Sequence, residues 1–204
     1  MARAVTVKQL LATKRKVLPF TDDWEAALGC PEVTGSMIIW GDSGNGKTSF
    51  ALQFMRYMSD FENTFYNSLE EGDSLSMARA FKRENLEATA TGSVLLLDKE
   101  PINELIERLH KAKSANVVII DSLQYSGLTY EAYKNLVETF RKKLFVFISH
   151  ADGKDPAGAV AKAIKYDSHI KVHIKAFTAY ITSRYGGGAP YIISQERATR
   201  TSPD

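Results

Sequence analysis

The sequence has only one cysteine, Cys30, in 204 residues. A single cysteine cannot close an internal disulfide, which is typical of proteins that work in a reducing interior. No apolar run approaches the roughly 20 residues of a membrane-spanning helix. The N-terminus also lacks the apolar core of a secretory signal. These absences predict a soluble, cytoplasmic protein without a membrane partner.

An excess of one charge is also missing, since 26 Lys and Arg face 24 Asp and Glu, for a formal net charge of +2. Any nucleic-acid site must therefore be a local basic patch. The hydrophobic share of 44% is enough for one substantial core. We predict one domain over residues 18–194 and a polar tail, a candidate for disorder, at 195–204. An N-terminal extension, 1–17, with a short helix at 6–14, is a candidate for oligomerisation, although its basic end is also explained as a solvated charge run.

One stretch carries a recognisable motif. Residues 41–48 read Gly-Asp-Ser-Gly-Asn-Gly-Lys-Thr and fit the phosphate-loop pattern G-x-x-x-x-G-K-[ST]. Glycines let successive backbone N–H groups point at one phosphate, while Lys47 is placed to reach the β- and γ-phosphates and Thr48 to hold Mg²⁺. A chance match in a glycine-rich turn is disfavoured by a predicted strand at 36–40 and a predicted helix at 48–58. The candidate nucleotide-binding residues are Gly41, Asp42, Ser43, Gly44, Asn45, Gly46, Lys47, Thr48 and Ser49.

Strands and helices are predicted to alternate along the rest of the domain. Asp73 is a candidate N-cap, and Pro101 is a candidate first helical residue. The alternation predicts an α/β fold with a doubly wound, mainly parallel sheet and helices on both faces. Apolar and polar residues alternate over 168–183, which predicts antiparallel C-terminal strands, with a turn at 184–190. The other predicted strands are 63–68, 94–98, 116–121, 144–148 and 191–193, and the other predicted helices are 24–29, 73–81, one from residue 101, and 130–143.

Polar residues follow the predicted strands at the edge where a parallel sheet presents its ligands. Asp121 ends an apolar run in the manner of a Walker B carboxylate that holds magnesium, although such a residue is also a common helix cap. Glu70 and Glu71 follow the second strand and are candidates to orient the attacking water, unless both are simply loop residues. His150 follows another strand and is predicted to lie near the γ-phosphate.

Together these segments resemble the RecA-like ATPase core of RadA-type recombination proteins and DnaB-type replicative helicases. The resemblance is carried by Tyr-Asn-Ser-Leu-Glu-Glu at 66–71, Asp-Ser-Leu-Gln at 121–124 and Ile-Ser-His at 148–150. It covers about residues 18–193 and implies a RecA-like P-loop fold that uses ATP and Mg²⁺. It also implies that Glu70 is the catalytic glutamate, and that ATP lies at the subunit interface of a homo-oligomer, either a ring or a filament.

The resemblance assigns two further groups of residues. Arg184 corresponds to a residue of the neighbouring subunit that reaches the nucleotide, although Thr182 replaces the family's lysine. Single-stranded DNA is expected to touch loops at 122–129 and 151–167. The second loop offers cations for phosphates and an aromatic ring for a base, unless it is simply a solvated helix face. The candidate DNA-binding residues are Lys154, Lys162, Lys165 and Tyr166, and the candidate catalytic residues are Lys47, Glu70, His150 and Arg184.

Three functions are compatible with these residues. The first is an ATPase that acts on single-stranded DNA in recombination, annealing or replication, similar to short phage and archaeal recombinase-like proteins. The second is a weakly hydrolysing, ATP-binding mediator that regulates or loads another recombinase or helicase. The substitution at Thr182 favours this second hypothesis. A small-molecule kinase is disfavoured because no arginine-rich lid is present.

Overall fold

A sheet of nine strands dominates the computed structural model, which describes residues 4–201. The strands are β1 Gly35–Gly41, β2 Thr64–Ser68, β3 Val94–Asp98, β4 Val117–Asp121, β5 Leu144–Asp152, β6 Asp155–Pro156, β7 Ile170–Lys175, β8 Thr178–Ser183 and β9 Tyr191–Ile192. The α-helices of this part of the chain are α1 Val7–Ala12, α2 Asp22–Leu28, α3 Lys47–Met58, α4 Leu75–Arg83, α5 Ile102–His110, α6 Tyr130–Thr139, α7 Ala159–Asp167 and α8 Gln195–Thr201.

The strand order is β3-β2-β4-β5-β1-β7-β8-β9, with β6 paired to the end of β5. The first six strands of this order run parallel, while β8 is antiparallel to both β7 and β9. The predicted α/β class, the mainly parallel sheet and the antiparallel C-terminal strands are therefore confirmed.

Two apolar cores lie on opposite faces of this sheet. Helices α2, α3 and α4 cover one face, where Phe50 and Phe54 pack against Met37 and Ile39. Helices α5, α6 and α7 cover the other face. The central strands therefore bury both faces, which explains why β1, β4 and β5 read as continuous apolar runs rather than alternating ones.

Several predicted boundaries shift by a residue or more. Helix α4 begins at Leu75 because the Ser74 hydroxyl accepts the N–H of Met77 at 3.1 Å. The predicted cap Asp73 is wrong, and its N–H instead donates to the Asp98 carboxylate at 3.0 Å. Pro101 is the N-cap of α5 rather than its first residue, and α6 ends at Thr139.

The alternation over 168–183 is divided between two strands. Ala176 and Phe177 join β7 to β8 in a tight turn, with φ angles of 48° and 55°. The buried positions change from even numbers in β7, such as Ile174, to odd numbers in β8, such as Ala179 and Ile181. This change of phase is the sequence signal of the turn.

The two ends of the described chain differ from one another. Residues 4–17 are all exposed, and Leu18 is the first buried residue. Residues 195–201 of the tail predicted as a candidate for disorder form α8, Gln195–Thr201, and the rest of that tail, 202–204, lies outside the described residues. Just before α8, the Ile193 N–H donates to the Phe177 carbonyl at 2.9 Å. None of the helices within residues 4–201 is long and apolar enough to cross a membrane.

Candidate nucleotide-binding site

The phosphate loop connects β1 to the first turn of α3. Gly46 precedes α3 with a φ of 103°, and a Cβ atom there would lie 2.8 Å from Cδ1 of Phe177. A Cβ atom on Gly41 would lie 2.3 Å from the Ile174 carbonyl oxygen. Both positions therefore require glycine. The loop leaves the N-terminal N–H groups of α3 without a side-chain cap, which is the arrangement that binds phosphate oxygens.

The β7–β8 turn braces this loop. The Asn45 side-chain oxygen accepts the N–H of Ala176 at 2.8 Å, and the Asn45 carbonyl accepts that of Phe177 at 3.2 Å. The Lys47 ammonium donates to the carbonyls of Gly41 at 2.8 Å and Asp42 at 3.0 Å. Burial lowers the pKa of Lys47, against the nearby carboxylates. The lysine is thus held within the loop, where a bound phosphate can replace the two carbonyls as its hydrogen-bond acceptor.

A cavity of about 540 Å³ lies over the loop, within the usual size range of small-molecule sites. The structure brings the predicted loop residues into one site with Glu70, Asp121 and His150. Three lining residues, Ala151, Phe177 and Arg197, were not among the residues predicted for this site. The full lining is Asp42, Ser43, Gly44, Gly46, Lys47, Thr48, Ser49, Glu70, Glu71, Asp121, His150, Ala151, Phe177 and Arg197.

Asp121 is a buried carboxylate at the end of β4. The hydroxyl of Tyr66, fully buried on the neighbouring strand β2, donates to its Oδ2 atom at 2.5 Å. Burial raises the pKa of Asp121 to about 6, while the bond from Tyr66 opposes this rise and the charge of Glu70 adds to it. The ionised carboxylate is therefore poorly stabilised by the protein alone, and a cation would improve its environment.

The donors at this point fit Mg²⁺, which prefers carboxylate, hydroxyl and phosphate oxygens. The Tyr66 hydroxyl donates to Asp121, and the Thr48 side chain lowers the pKa of Tyr66 against the effect of burial, so that Tyr66 lies between the two predicted metal residues. Within residues 4–201, no group of three or more His, Cys, Asp or Glu side chains could hold a metal by itself.

Glu70 and His150 both line the cavity and contact each other. The His150 Nε2 atom lies 3.3 Å from the Oε2 atom of Glu70. Glu71 instead accepts the Ser76 hydroxyl at 2.5 Å at the start of α4. Of the two candidate glutamates, Glu70 therefore pairs with His150, the residue predicted to lie near the γ-phosphate.

Gln124 is a connecting residue for which the sequence alone predicts no role. Its amide nitrogen donates to the Ser149 hydroxyl at 2.8 Å and to the Ala157 carbonyl at 3.1 Å. Its side-chain oxygen accepts the N–H of His150 at 3.3 Å. Gln124 therefore links the segment after Asp121 to both ends of the hairpin that follows His150. Its place in Asp-Ser-Leu-Gln was the available signal.

Arg184 lies away from its own cavity. Ser183 pairs with Ile170, which pairs with Met37 near the start of β1, whereas the phosphate loop follows the end of β1. At about 3.3 Å per residue, Arg184 is roughly 15–20 Å from the loop along the strand direction. Its side chain approaches the Asp167 carbonyl at 3.5 Å. In one chain, Arg184 is therefore at the opposite edge of the sheet.

The predicted DNA-binding residues lie beside the cavity rather than in it. Lys162 pairs with Asp152 at 3.3 Å, and Lys165 pairs with Asp155 at 2.7 Å. The Lys165 ammonium also lies 4.6 Å from the ring centre of Trp40, whose indole N–H donates to the Lys154 carbonyl at 3.2 Å. Tyr166 is 81% exposed. These ion pairs were not predicted from the sequence.

The strand order, the phosphate loop and the carboxylate at the end of β4 define a RecA-like P-loop fold. No protein-family model and no curated protein matches the chain. Among solved structures, the chain is similar to a KaiC-like protein from the hyperthermophilic archaeon Pyrococcus horikoshii OT3. The two share 19% identity with a TM-score of 0.61, over 87% of this chain and 93% of that one. This likeness supports the RecA-like fold without singling out the RadA or DnaB branch.

Proposed function

We propose that this protein binds ATP with magnesium and hydrolyses it to ADP and phosphate. The observation that carries the proposal is the convergence of the phosphate loop, the buried Asp121 and the Glu70–His150 pair on one cavity. These groups come from four different strand ends. The four strands end at the same edge of the parallel sheet, and the sheet therefore brings together groups that are far apart in the sequence.

Each group has a distinct role in this proposal. Lys47 and the N-terminus of α3 bind the phosphates, and Thr48 and Asp121 hold the magnesium ion, which when bound neutralises phosphate charge. The Tyr66 hydroxyl fixes the orientation of the Asp121 carboxylate. Glu70 orients and polarises the attacking water, and His150 holds Glu70 in position at 3.3 Å.

The Glu70→Gln variant tests this assignment. We expect its turnover to fall by about 100-fold or more while ATP binding is retained, because the amide cannot accept a proton from water. Glu71→Gln is the matched control, since Glu71 is held by Ser76 at the start of α4. Steady-state phosphate release and ATP titration give the two quantities. A Glu70→Gln protein that hydrolyses ATP at the wild-type rate would show that another residue activates the water.

We further propose that the protein hydrolyses ATP while acting on single-stranded DNA. The surface formed by α7 and the β5–β6 hairpin offers the exposed ring of Tyr166 beside Lys162 and Lys165. Exposed ion pairs contribute at most about 1 kcal/mol each to stability. DNA phosphates can therefore replace the two aspartates as partners of Lys162 and Lys165. Strand β5 also carries His150, which joins this surface directly to the cavity.

The DNA proposal is tested by the ATPase rate with and without single-stranded DNA at low salt. We expect stimulation in the wild type and its loss when Lys162 and Lys165 are both changed to Ala. The control changes Lys111 and Lys142, two exposed lysines that precede β4 and β5 at the opposite edge of the sheet. Equal stimulation of both double variants would exclude this surface as the DNA site.

A weakly hydrolysing mediator is the second candidate function. Its support is that Thr182 replaces the family's lysine and that Arg184 lies outside the chain's own cavity. We propose that a homo-oligomer, either a ring or a filament, brings the Arg184 of one subunit to the ATP of its neighbour. ATP binding with slow turnover that neither DNA nor protein concentration changes would favour the mediator over the DNA-dependent ATPase.

A further inference from the structure

The C-terminal part of the chain forms a wall of the nucleotide cavity that belongs to no phosphate-loop motif. Phe177 contributes from the β7–β8 turn and Arg197 from α8, and both line the cavity. The central carbon of the Arg197 guanidinium lies 5.2 Å from the centre of the Phe177 ring. A cation at this distance over a ring face is attracted by the π electrons. The two side chains therefore form one platform, which we call the Phe177–Arg197 platform.

Hydrogen bonds fix this platform to the phosphate loop. The Phe177 N–H donates to the Asn45 carbonyl at 3.2 Å, and its ring covers Gly46. The Phe177 carbonyl accepts the N–H of Ile193 at 2.9 Å, and the Ile193 carbonyl accepts the side-chain amide of Gln53 at 3.1 Å. The segment leading into α8 is thus tied both to the turn and to α3. A ligand held by the loop consequently meets the platform in a fixed place.

The order of the strands shows which end of a nucleotide would meet the platform. Asp121 and His150 lie on strands β4 and β5, on one side of β1, whereas the turn that carries Phe177 lies beyond β7 on the other side. The phosphate loop follows β1 and separates the two groups. A nucleotide lying across the loop with its γ-phosphate toward Asp121 and Glu70 therefore has its nucleoside end toward Phe177.

We propose that the Phe177–Arg197 platform is the nucleoside subsite and that the base packs against the guanidinium and the ring. This proposal rests on the proposed ATP-binding function. A planar guanidinium over an aromatic ring offers a flat, polarisable surface suited to a nucleobase. The ligand class is a nucleoside di- or triphosphate, and α8 acts as a cover over the base rather than as part of the chemistry.

The test compares Arg197→Ala with Arg200→Ala. Arg200 lies on the same helix, pairs with Glu196 at 2.8 Å and does not line the cavity. Affinities for ATP, ADP and inorganic tripolyphosphate are measured by calorimetry, together with kcat and KM. We expect Arg197→Ala to weaken ATP and ADP binding by the same factor, about tenfold. Tripolyphosphate affinity and kcat should be unchanged, and Arg200→Ala should behave as the wild type.

A second variant, Phe177→Leu, keeps an apolar cover over Gly46 but removes the ring. We expect the same loss for ATP and ADP and none for tripolyphosphate. Equal weakening of tripolyphosphate would overturn the proposal, because Arg197 would then bind phosphate. Loss of ATP binding in Lys47→Ala, together with unchanged ATP affinity in Arg197→Ala and Phe177→Leu, overturns the subsite and leaves the proposed function standing. A wild type that binds no ATP overturns both.

Discussion

At the scale of the residue, Asp121 shows how the candidate site reduces the stability of the fold. The carboxylate is buried at the end of β4, where the Tyr66 hydroxyl and the charge of Lys47 favour its ionised form. Burial outweighs both and raises its pKa to about 6. The ionised form is the one that a magnesium ion requires. The ionised Asp121 carboxylate is thus energetically unfavourable until a bound cation neutralises its charge.

The first prediction concerns Asp121→Asn in the absence of magnesium and nucleotide. Because the folded pKa of about 6 lies above the ordinary value of 3.8, folding favours the protonated form, and this contribution is lost as the pH rises through 6. The variant should therefore be more stable than the wild type by about 3 kcal/mol at pH 7.5 and by about half of that at pH 5. Urea unfolding in the presence of a chelator measures both values.

The exposed Asp42 of the phosphate loop provides the control. Asp42→Asn should change stability by less than about 0.5 kcal/mol at either pH. An Asp121→Asn protein that is less stable than the wild type at pH 7.5 would show that the carboxylate is already well compensated in the free protein.

At the scale of the element, the β7–β8 hairpin is the part of the fold that supports the phosphate loop. Its two turn residues, Ala176 and Phe177, adopt left-handed φ angles that L-residues disfavour by about 1–2 kcal/mol each. Their N–H groups nevertheless bind Asn45, and the Phe177 ring covers Gly46. The hairpin therefore keeps two strained residues because the turn they form positions the loop.

The second prediction follows from this strain. Ala176→Gly should raise the free energy of unfolding by about 0.5–1 kcal/mol, because glycine accepts the left-handed angle and retains the N–H bond to Asn45. A melting temperature higher by about 2 °C would accompany the gain in a chain of this size.

The matched control is Ala78→Gly in the exposed middle of α4, which should lower the stability by about 1 kcal/mol. Opposite signs for the two Ala→Gly changes would establish that backbone conformation is the cause. If both variants are destabilised equally, the turn is not strained in solution.

At the scale of the whole molecule, the position of Arg184 means that a single chain contains only part of the proposed site. Strand β8 runs antiparallel to the central strands, so that its end carries Arg184 to the edge opposite the phosphate loop. One chain cannot bring the two together without undoing the sheet. A head-to-tail arrangement of copies places one edge against the other, and such interfaces close into rings or extend into filaments.

The third prediction is a mixing experiment with two variants. Lys47→Ala and Arg184→Ala should each reduce turnover by at least about 100-fold, because one loses the phosphate cation and the other the cation supplied to its neighbour. In an equal mixture, the intact loop of one variant meets the intact Arg184 of the other at about a quarter of the sites. Phosphate release should recover accordingly. An Arg184→Ala protein with wild-type turnover would exclude the role in the neighbouring subunit.

Several features of this protein could be predicted from local sequence. The spacing of Gly41, Gly46 and Lys47 defines the phosphate loop because it is a contiguous segment whose backbone angles depend on its own residues. The apolar runs before Asp121 and His150 predict buried parallel strands, since burial on both faces removes the polar positions. Because parallel strands end at the same edge, the convergence of their polar residues could also be expected.

The sequence by itself thus determined the α/β class, the antiparallel C-terminal strands and the position of the phosphate loop. Only the tertiary structure decided that Tyr66 binds Asp121, that Glu70 rather than Glu71 faces His150, and that Arg197 of α8 lines the cavity. The physical reason is the range over which each property is set. Backbone conformation and burial periodicity depend on neighbours in the chain, whereas these contacts depend on strand register and on how segments far apart in the sequence pack together.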